Sequence, residues 1–192
     1  WYDIAAVYPL EPYSVNPAMI VAHEPWSGHY SVREALWGYA HYGQFTKAGW
    51  KYVDSGCRKL ECGGSMVSLR SDSTDDYSII IETKDAKVQQ QLYIKIPKEL
   101  SHNRLCVWRS NETEQFSHLP DKRLEREYIR ITVDPNTVYS LSTTNGQRKG
   151  SFDGIPSSKP FPISYSDDFE SYGNGISTGY LPHYTADIIG CF

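Results

Sequence analysis

Tyr77-Ser78-Ile79-Ile80-Ile81-Glu82-Thr83 sits near the middle of the chain. β-Branched and aromatic side chains dominate it, and such residues favour extended backbone. Three consecutive isoleucines cannot be shared between a wet face and a dry one. The stretch therefore reads as a strand covered on both faces. Working outward, further runs with a period of two lie at 50–55, 65–70, 90–96, 103–109, 127–133 and 137–143. Gly63-Gly64, Asp72 to Asp76, Pro97, Asn111, Pro135 and Asn145-Gly146 break them apart. Short strands with turn residues between them predict an antiparallel β-sandwich over 50–150. The charged stretches 84–88 and 110–126 read as connections, with Lys122, Arg123 and Arg126 on a solvated face.

Before the strands the texture is different. Residues 1–8 are apolar and aromatic and suggest a buried strand end running into a short helix. Pro9, Pro12 and Pro17 impose an irregular stretch, and Met19-Ile20-Val21-Ala22 is a second, short apolar run. Ser31 and Glu34 have capping-box spacing and predict a helix start. Val32, Leu36, Tyr39, Ala40 and Gly43 fall on one helical face, and Lys47-Ala48-Gly49 supplies a basic last turn and a glycine stop. After Gly150, residues 151–183 are rich in proline and glycine and read as a linker lying over the sandwich. Residues 184–192 read as the start of another module. The opening at Trp1 and the strand-like Ile188-Ile189-Gly190-Cys191-Phe192 suggest a piece of a longer protein.

Composition sets outer limits. The 192 residues carry a net charge of −4, with 22% charged and 40% hydrophobic residues, so a real core is expected and disorder is not. A slightly acidic chain is a poor nucleic-acid binder, which wants a basic face. No apolar run is long enough for a transmembrane helix. Aromatic residues make up 14%, which suits β-strands and also sugar-facing surfaces.

One loop concentrates polar chemistry. Glu24-Pro25-Trp26-Ser27-Gly28-His29-Tyr30 offers a carboxylate, an indole, a hydroxyl, an imidazole and a phenol. Stacking surfaces beside donors and acceptors are what a sugar ring requires. The other reading of the same residues is a corner that packs Trp26 and Tyr30 beneath the following helix. Hydrolysis of a glycoside needs two carboxyl groups, and Glu24 has no evident second here. Cys57, Cys62, Cys106 and Cys191 have no zinc-site spacing. Cys57 and Cys62 either close a hairpin as a disulfide or remain thiols. Asn111-Glu112-Thr113 is an N-glycosylation sequon, used only on a secretory route.

The run His23-Glu24-Pro25-Trp26-Ser27-Gly28-His29-Tyr30 resembles the EPWSGHY loop of the galactocerebrosidases, glycoside hydrolase family 59. Ala40-His41, Gln44-Phe45-Thr46, Gly49-Trp50, Gly63-Gly64-Ser65, the Ile79–Thr83 run, Arg148-Lys149-Gly150-Ser151, Lys159-Pro160-Phe161-Pro162 and Asp167-Asp168-Phe169 follow in the family's order. The resemblance implies that 1–49 is the end of a (β/α)8 barrel with its last helix, 50–150 the β-sandwich, 151–183 the linker and 184–192 the first strand of a lectin-like domain. It implies a retaining β-galactosidase acting on galactosylceramide and related galactolipids by a hydrolysis that needs no metal or organic cofactor, aided by a lipid-presenting activator protein, in a lysosomal or secreted setting. It places Trp1 as an apolar platform for the sugar and Glu24, Trp26, Ser27 and His29 at the pocket rim. Both catalytic glutamates are then expected upstream, and none in this chain. One departure stands out: Lys84-Asp85-Ala86-Lys87-Val88 runs almost directly into Gln89, whereas the vertebrate enzymes have a longer segment carrying a sugar-contacting arginine. The competing functional readings are a non-catalytic carbohydrate-binding or scaffold module and a family member with another β-galactoside as substrate.

Overall fold

The computed structural model describes residues 18–100, 102, 104–151, 153–164, 166 and 168, together with the backbone of 5–7. The chain divides into two compact units, Trp1–Leu36 with Ser151–Phe192, and Trp37–Gly150.

In the first unit, strand β1 (Ala5–Val7) pairs in parallel with β2 (Ile20–Ala22), and β2 pairs antiparallel with β3 (Ser31–Val32). The apolar run at 19–22 is therefore the strand that leads into the polar loop. The expected capping box does not form. Ser31 belongs to β3, its hydroxyl faces the Val21 carbonyl at 3.4 Å, and helix α1 (Glu34–Gly43) starts three residues later. Sheet pairing has taken the residue that the helix cap would have used.

From Trp37 onward the chain builds a β-sandwich roofed by the end of α1. The strands are β4 (Lys51–Tyr52), β5 (Arg58–Lys59), β6 (Ser65–Arg70), β7 (Tyr77–Glu82), β8 (Gln90–Lys95), β9 (Arg104–Ser110), β10 (Ser117–Arg123), β11 (Tyr128–Val133) and β12 (Val138–Ser142). A seven-stranded antiparallel sheet runs β10-β9-β12-β7-β6-β4, with β5 also on β6, and β11 pairs with β8 in a separate ribbon. The mainly β, antiparallel architecture agrees with the sequence expectation. Two strands were hidden from it: β5, which falls between the runs expected at 50–55 and 65–70, and β10, which lies within the stretch read as a charged connection. The Ser-His-Leu-Pro-Asp-Lys-Arg sequence of β10 is tolerable because it is an edge, where Pro120 need not donate to a neighbour and a register shift falls between Leu119 and Lys122.

β7 is central, and Tyr77 through Ile81 are all buried. Ile79 and Ile81 face the ribbon and join Leu105, Val107, Ile129, Ile131, Val133, Tyr139 and Leu141 in the main core. Burial of side chains this size contributes roughly 1.5–3 kcal/mol each. The opposite face is lined by serines. Ser78 Oγ donates to the Phe45 carbonyl at 2.5 Å and Ser140 Oγ to the His41 carbonyl at 3.0 Å. The sheet thus satisfies the His41 carbonyl, which the helix end leaves unpaired, and the Phe45 carbonyl just beyond that end. The helical face expected from the sequence is corrected accordingly. Tyr39 is half exposed, whereas His41 is fully buried and Trp37 and Ala40 pack on Phe45, Trp108 and Phe116. The helix also stops at Gly43, before the glycine expected to end it.

Gly64 shows why a double glycine interrupts the strands. Its φ is +95°, and a Cβ there would lie 2.2 Å from the Glu82 carbonyl oxygen. No side chain fits that approach.

Candidate functional site

The polar loop leaves β2 and becomes a single 3-10 turn, Pro25–Ser27, with proline at its first position. Ser27 Oγ donates to the Glu24 carbonyl at 2.6 Å and accepts the His29 amide at 3.1 Å. Gly28 closes the turn in the left-handed region, φ +74°, and its amide donates to the Pro25 carbonyl at 2.9 Å. A Cβ on Gly28 would sit 3.3 Å from Pro156 Cγ. Pro25 presets the entry and Gly28 permits the exit, so the loop's shape follows from its own sequence.

The side chains are held from the other end of the same unit. Trp26 Nε1 donates to the Lys159 carbonyl at 2.6 Å, and its indole meets the Phe161 ring edge-on at 5.3 Å. His29 Nδ1 lies 2.8 Å from the Pro156 carbonyl. A carbonyl only accepts, so this nitrogen carries a proton. The Ser158 hydroxyl donates to the Glu24 carboxylate. Residues 156–161, expected to lie over the sandwich, thus clasp this loop. Glu24, Trp26, Ser27 and His29 stand together on this turn, with Trp26 and His29 engaging protein carbonyls. Trp1 lies outside the described residues, and so do Asp167, Phe169 and the 184–192 segment.

Glu24 is the one carboxylate of this loop, and its partner is the Ser158 hydroxyl. Elsewhere a cavity of about 590 Å³ opens between the sandwich layers beside β6 and β8, and Glu61 is its sole lining carboxylate among the described residues. A shallower depression over the ribbon has Glu125 alone. Glu114 and Asp134 both approach Arg109, so the guanidinium stands between these two acids. No group of three potential metal ligands occurs among the described residues, and no helix there is long and apolar enough to cross a membrane.

Three cysteines lie among the described residues, all of them free thiols. Cys57 and Cys62 are separate thiols and do not form the bridge that was one of the two readings. Arg58 pairs with Met66 and Lys59 with Ser65, so Cys57 stands on the strand side of the hairpin and Cys62 at its turn. A disulfide needs Cα atoms within about 7 Å. Burial pushes the Cys106 thiol up to about 11, and its Sγ faces the Thr144 carbonyl at 3.1 Å. Asn111 lies in the β9–β10 connection. Its Oδ1 accepts the amides of Thr113 and Glu114, both at 2.9 Å.

His41 is the buried residue that helical-face reasoning missed. Burial without a charged partner pushes its pKa down to about 4. Its ring nitrogens each lie 2.8 Å from a serine hydroxyl, Ser140 at Nδ1 and Ser110 at Nε2. The signal was available in the two serines, which sit at inward positions where an apolar residue is usual.

Comparison with known proteins adds an independent line. Residues 1–44 match the sequence model of the family described as Glycosyl hydrolase family 59. The galactocerebrosidase of Mus musculus is 32% identical over 191 residues, covering 88% of this chain and 28% of the relative. That of Homo sapiens is 32% identical over 197 residues, covering 88% and 27%, and that of Danio rerio 31% over 190. The chain therefore spans between a quarter and a third of these curated relatives. In fold it is similar to a family 30 endoxylanase from Clostridium papyrosolvens C71, with a TM-score of 0.51 at 8% identity over 58% of this chain and 28% of that one.

Proposed function

We infer that the chain is a galactocerebrosidase-like segment of glycosyl hydrolase family 59, and that its parent is a retaining β-galactosidase acting on galactosylceramide and related galactolipids. The observation that carries this reading is the likeness to the mouse relative, which extends over 88% of the chain and is not confined to one motif. In such chemistry one carboxyl group attacks the anomeric carbon while a second, about 5–5.5 Å away, protonates the leaving oxygen; water then releases the sugar from the covalent intermediate. Both glutamates are assigned to the parent's barrel, outside this chain. The single-carboxylate loop described above fits that division of labour.

Here the segment's contribution is binding. Loops after parallel strands form the active face of a barrel. The loop follows β2, which pairs in parallel with β1. Trp1 is assigned as the platform under the galactose. Glu24, Trp26, Ser27 and His29 form the adjoining wall, kept rigid by residues 156–161. A lipid-presenting activator, a lysosomal or secreted setting and a glycan on Asn111 belong to the same reading.

The test is the full-length parent, assayed at acidic pH on galactosylceramide and on a soluble chromogenic β-galactoside. Turnover of the lipid supports the assignment. Turnover of the soluble galactoside alone shifts the substrate to another β-galactoside. Activity on neither, with the protein folded, leaves a non-catalytic binding module in its place.

A further inference from the structure

The outward face of the β8–β11 ribbon has features that the interior and the polar loop do not explain. Ile129, Ile131 and Val133 point into the core, so Tyr128, Arg130 and Thr132 face out. On β8 the outward residues are Gln91, Tyr93 and Lys95. The register sets Tyr93 opposite Arg130 and Tyr128 opposite Lys95. The two tyrosines are therefore diagonal neighbours, a spacing of about 7–8 Å. Tyr93 is 61% exposed and Tyr128 41%, a large amount of ring surface to leave in water on one short ribbon. Tyr93 is oriented by its hydroxyl, which donates to Gln91 Oε1 at 2.8 Å.

Beside the rings the surface is concave and cationic. Tyr93, Glu125, Arg126, Tyr128 and Arg130 line a depression of about 440 Å³. Glu127 is shared between Lys95 at 3.7 Å and Lys98 at 3.4 Å. Neither Arg126 nor Arg130 has an ion-pair partner among the described residues, and Glu125 is the one acid lining the depression with them. The patch is thus positive in a chain of net charge −4. Arg126 also adopts a left-handed backbone, φ +63°. Such a conformation is unfavourable for a bulky residue, and hydrogen bonds between Glu125 and Tyr128 at 2.9 and 3.1 Å hold it there.

We propose that this face binds an anionic sugar: a pyranoside bearing a sulfate, its C–H face against Tyr93 and Tyr128 and its sulfate on Arg126 and Arg130. An aromatic platform recognises a pyranose face, and a planar guanidinium recognises an oxyanion through paired N–H groups. A neutral sugar leaves both arginines unused, and a bare anion leaves both rings unused. The site lies wholly within Trp37–Gly150, and it is independent of whether the parent cleaves galactosides.

The experiment is a titration of the 15N-labelled chain with methyl β-galactoside 6-sulfate, with methyl β-galactoside, and with sodium sulfate at matched ionic strength. The expected result is saturable shifts at the Tyr93, Arg126, Tyr128 and Arg130 amides with the sulfated sugar, and binding about tenfold weaker for either half-ligand. Tyr93→Ser and Arg130→Gln should each weaken it about fivefold or more, since the stacking contact and the charge-assisted bond are separate contributions, while the melting temperature stays put because both side chains are exposed. Equal response to sulfate alone overturns the proposal, as do shifts confined to the Glu24–His29 loop. Concentration-dependent line broadening at this face without sugar overturns it too, in favour of a protein partner.

Discussion

His41 and Ser140 bind each other twice. His41 Nδ1 lies 2.8 Å from Ser140 Oγ, and the same hydroxyl donates to the His41 carbonyl at 3.0 Å. The serine has one proton, and the carbonyl takes it. The ring must then donate through Nδ1, which leaves Nε2 as the acceptor for Ser110. Ser110 Oγ in turn accepts the Phe116 amide at 2.8 Å, so its own proton is available for Nε2. The helix end, β12 and β9 are joined by a proton-ordered relay that is complete only when His41 is neutral.

Acid should therefore weaken the sandwich. The folded pKa of His41 is lowered from 6.5 to about 4, so the unfolded state binds the extra proton between those values. Stability is full above pH 6.5 and falls as pH drops toward 4, by roughly 3 kcal/mol from this residue. Urea unfolding of the chain and of His41→Leu at pH 7, 5.5 and 4 measures the difference. Parallel pH profiles for the two proteins would contradict the assignment.

Both faces of β7 should be intolerant of charge. Ile80 and Ile81 point oppositely, and both are at most 3% exposed. Ile80→Asp and Ile81→Asp are each expected to unfold the chain, because neither side offers a partner for the carboxylate. In a sheet with one wet face, one of the two would be harmless. Far-UV circular dichroism of both variants decides the matter.

Gly64→Ala should cost more than 2 kcal/mol, since the φ of +95° and the Glu82 carbonyl at 2.2 Å both oppose a side chain. Gly38→Ala is the control: it lies in α1 with nothing near its missing Cβ, and should stabilise by about 0.5–1 kcal/mol. Thermal melts that rank the two variants the other way would refute the close-approach argument.

The clasp on the polar loop should be separable from its contact with substrate. Ser158→Ala removes the hydroxyl on Glu24, and Trp26→Phe removes the indole donor to Lys159 while keeping a ring. In the full-length parent, Trp26→Phe is expected to lower kcat/KM about tenfold through loss of loop rigidity. Ser158→Ala should raise KM by a smaller factor. A kcat/KM unchanged in both variants would remove this loop from the pocket wall.

The buried strands were the legible part of the fold. Ile79–Ile81 and the alternating Tyr128–Val133 run carry their burial in their residue types, because a covered face admits few side chains. β10 was not legible, since an edge strand answers to solvent on one side and tolerates Pro120, Asp121 and Lys122. Ser31 was read as a cap because its spacing to Glu34 is right, but pairing with Val21 outcompetes a single capping bond. The polar loop was legible as a cluster; its clasp was not, because Glu24 and Ser158 are joined by a tertiary contact across more than a hundred residues. His41 was missed because the apolar face was drawn through Tyr39 and Gly43, and the serines that mark the burial of its ring lie 69 and 99 residues away along the chain.

The margins of the seven-stranded sheet carry a consequence for how the chain behaves at high concentration. One flank is β10, where Pro120 lacks a donor and the shift after Leu119 spoils the spacing for an incoming ladder. The opposite flank is divided between β4 and β5, each two residues long. Neither offers a straight template for another chain to dock as an extra strand. The sheet is thereby insulated from fibrous aggregation at both ends, even while its middle strand carries one of the most amyloid-prone textures in the sequence.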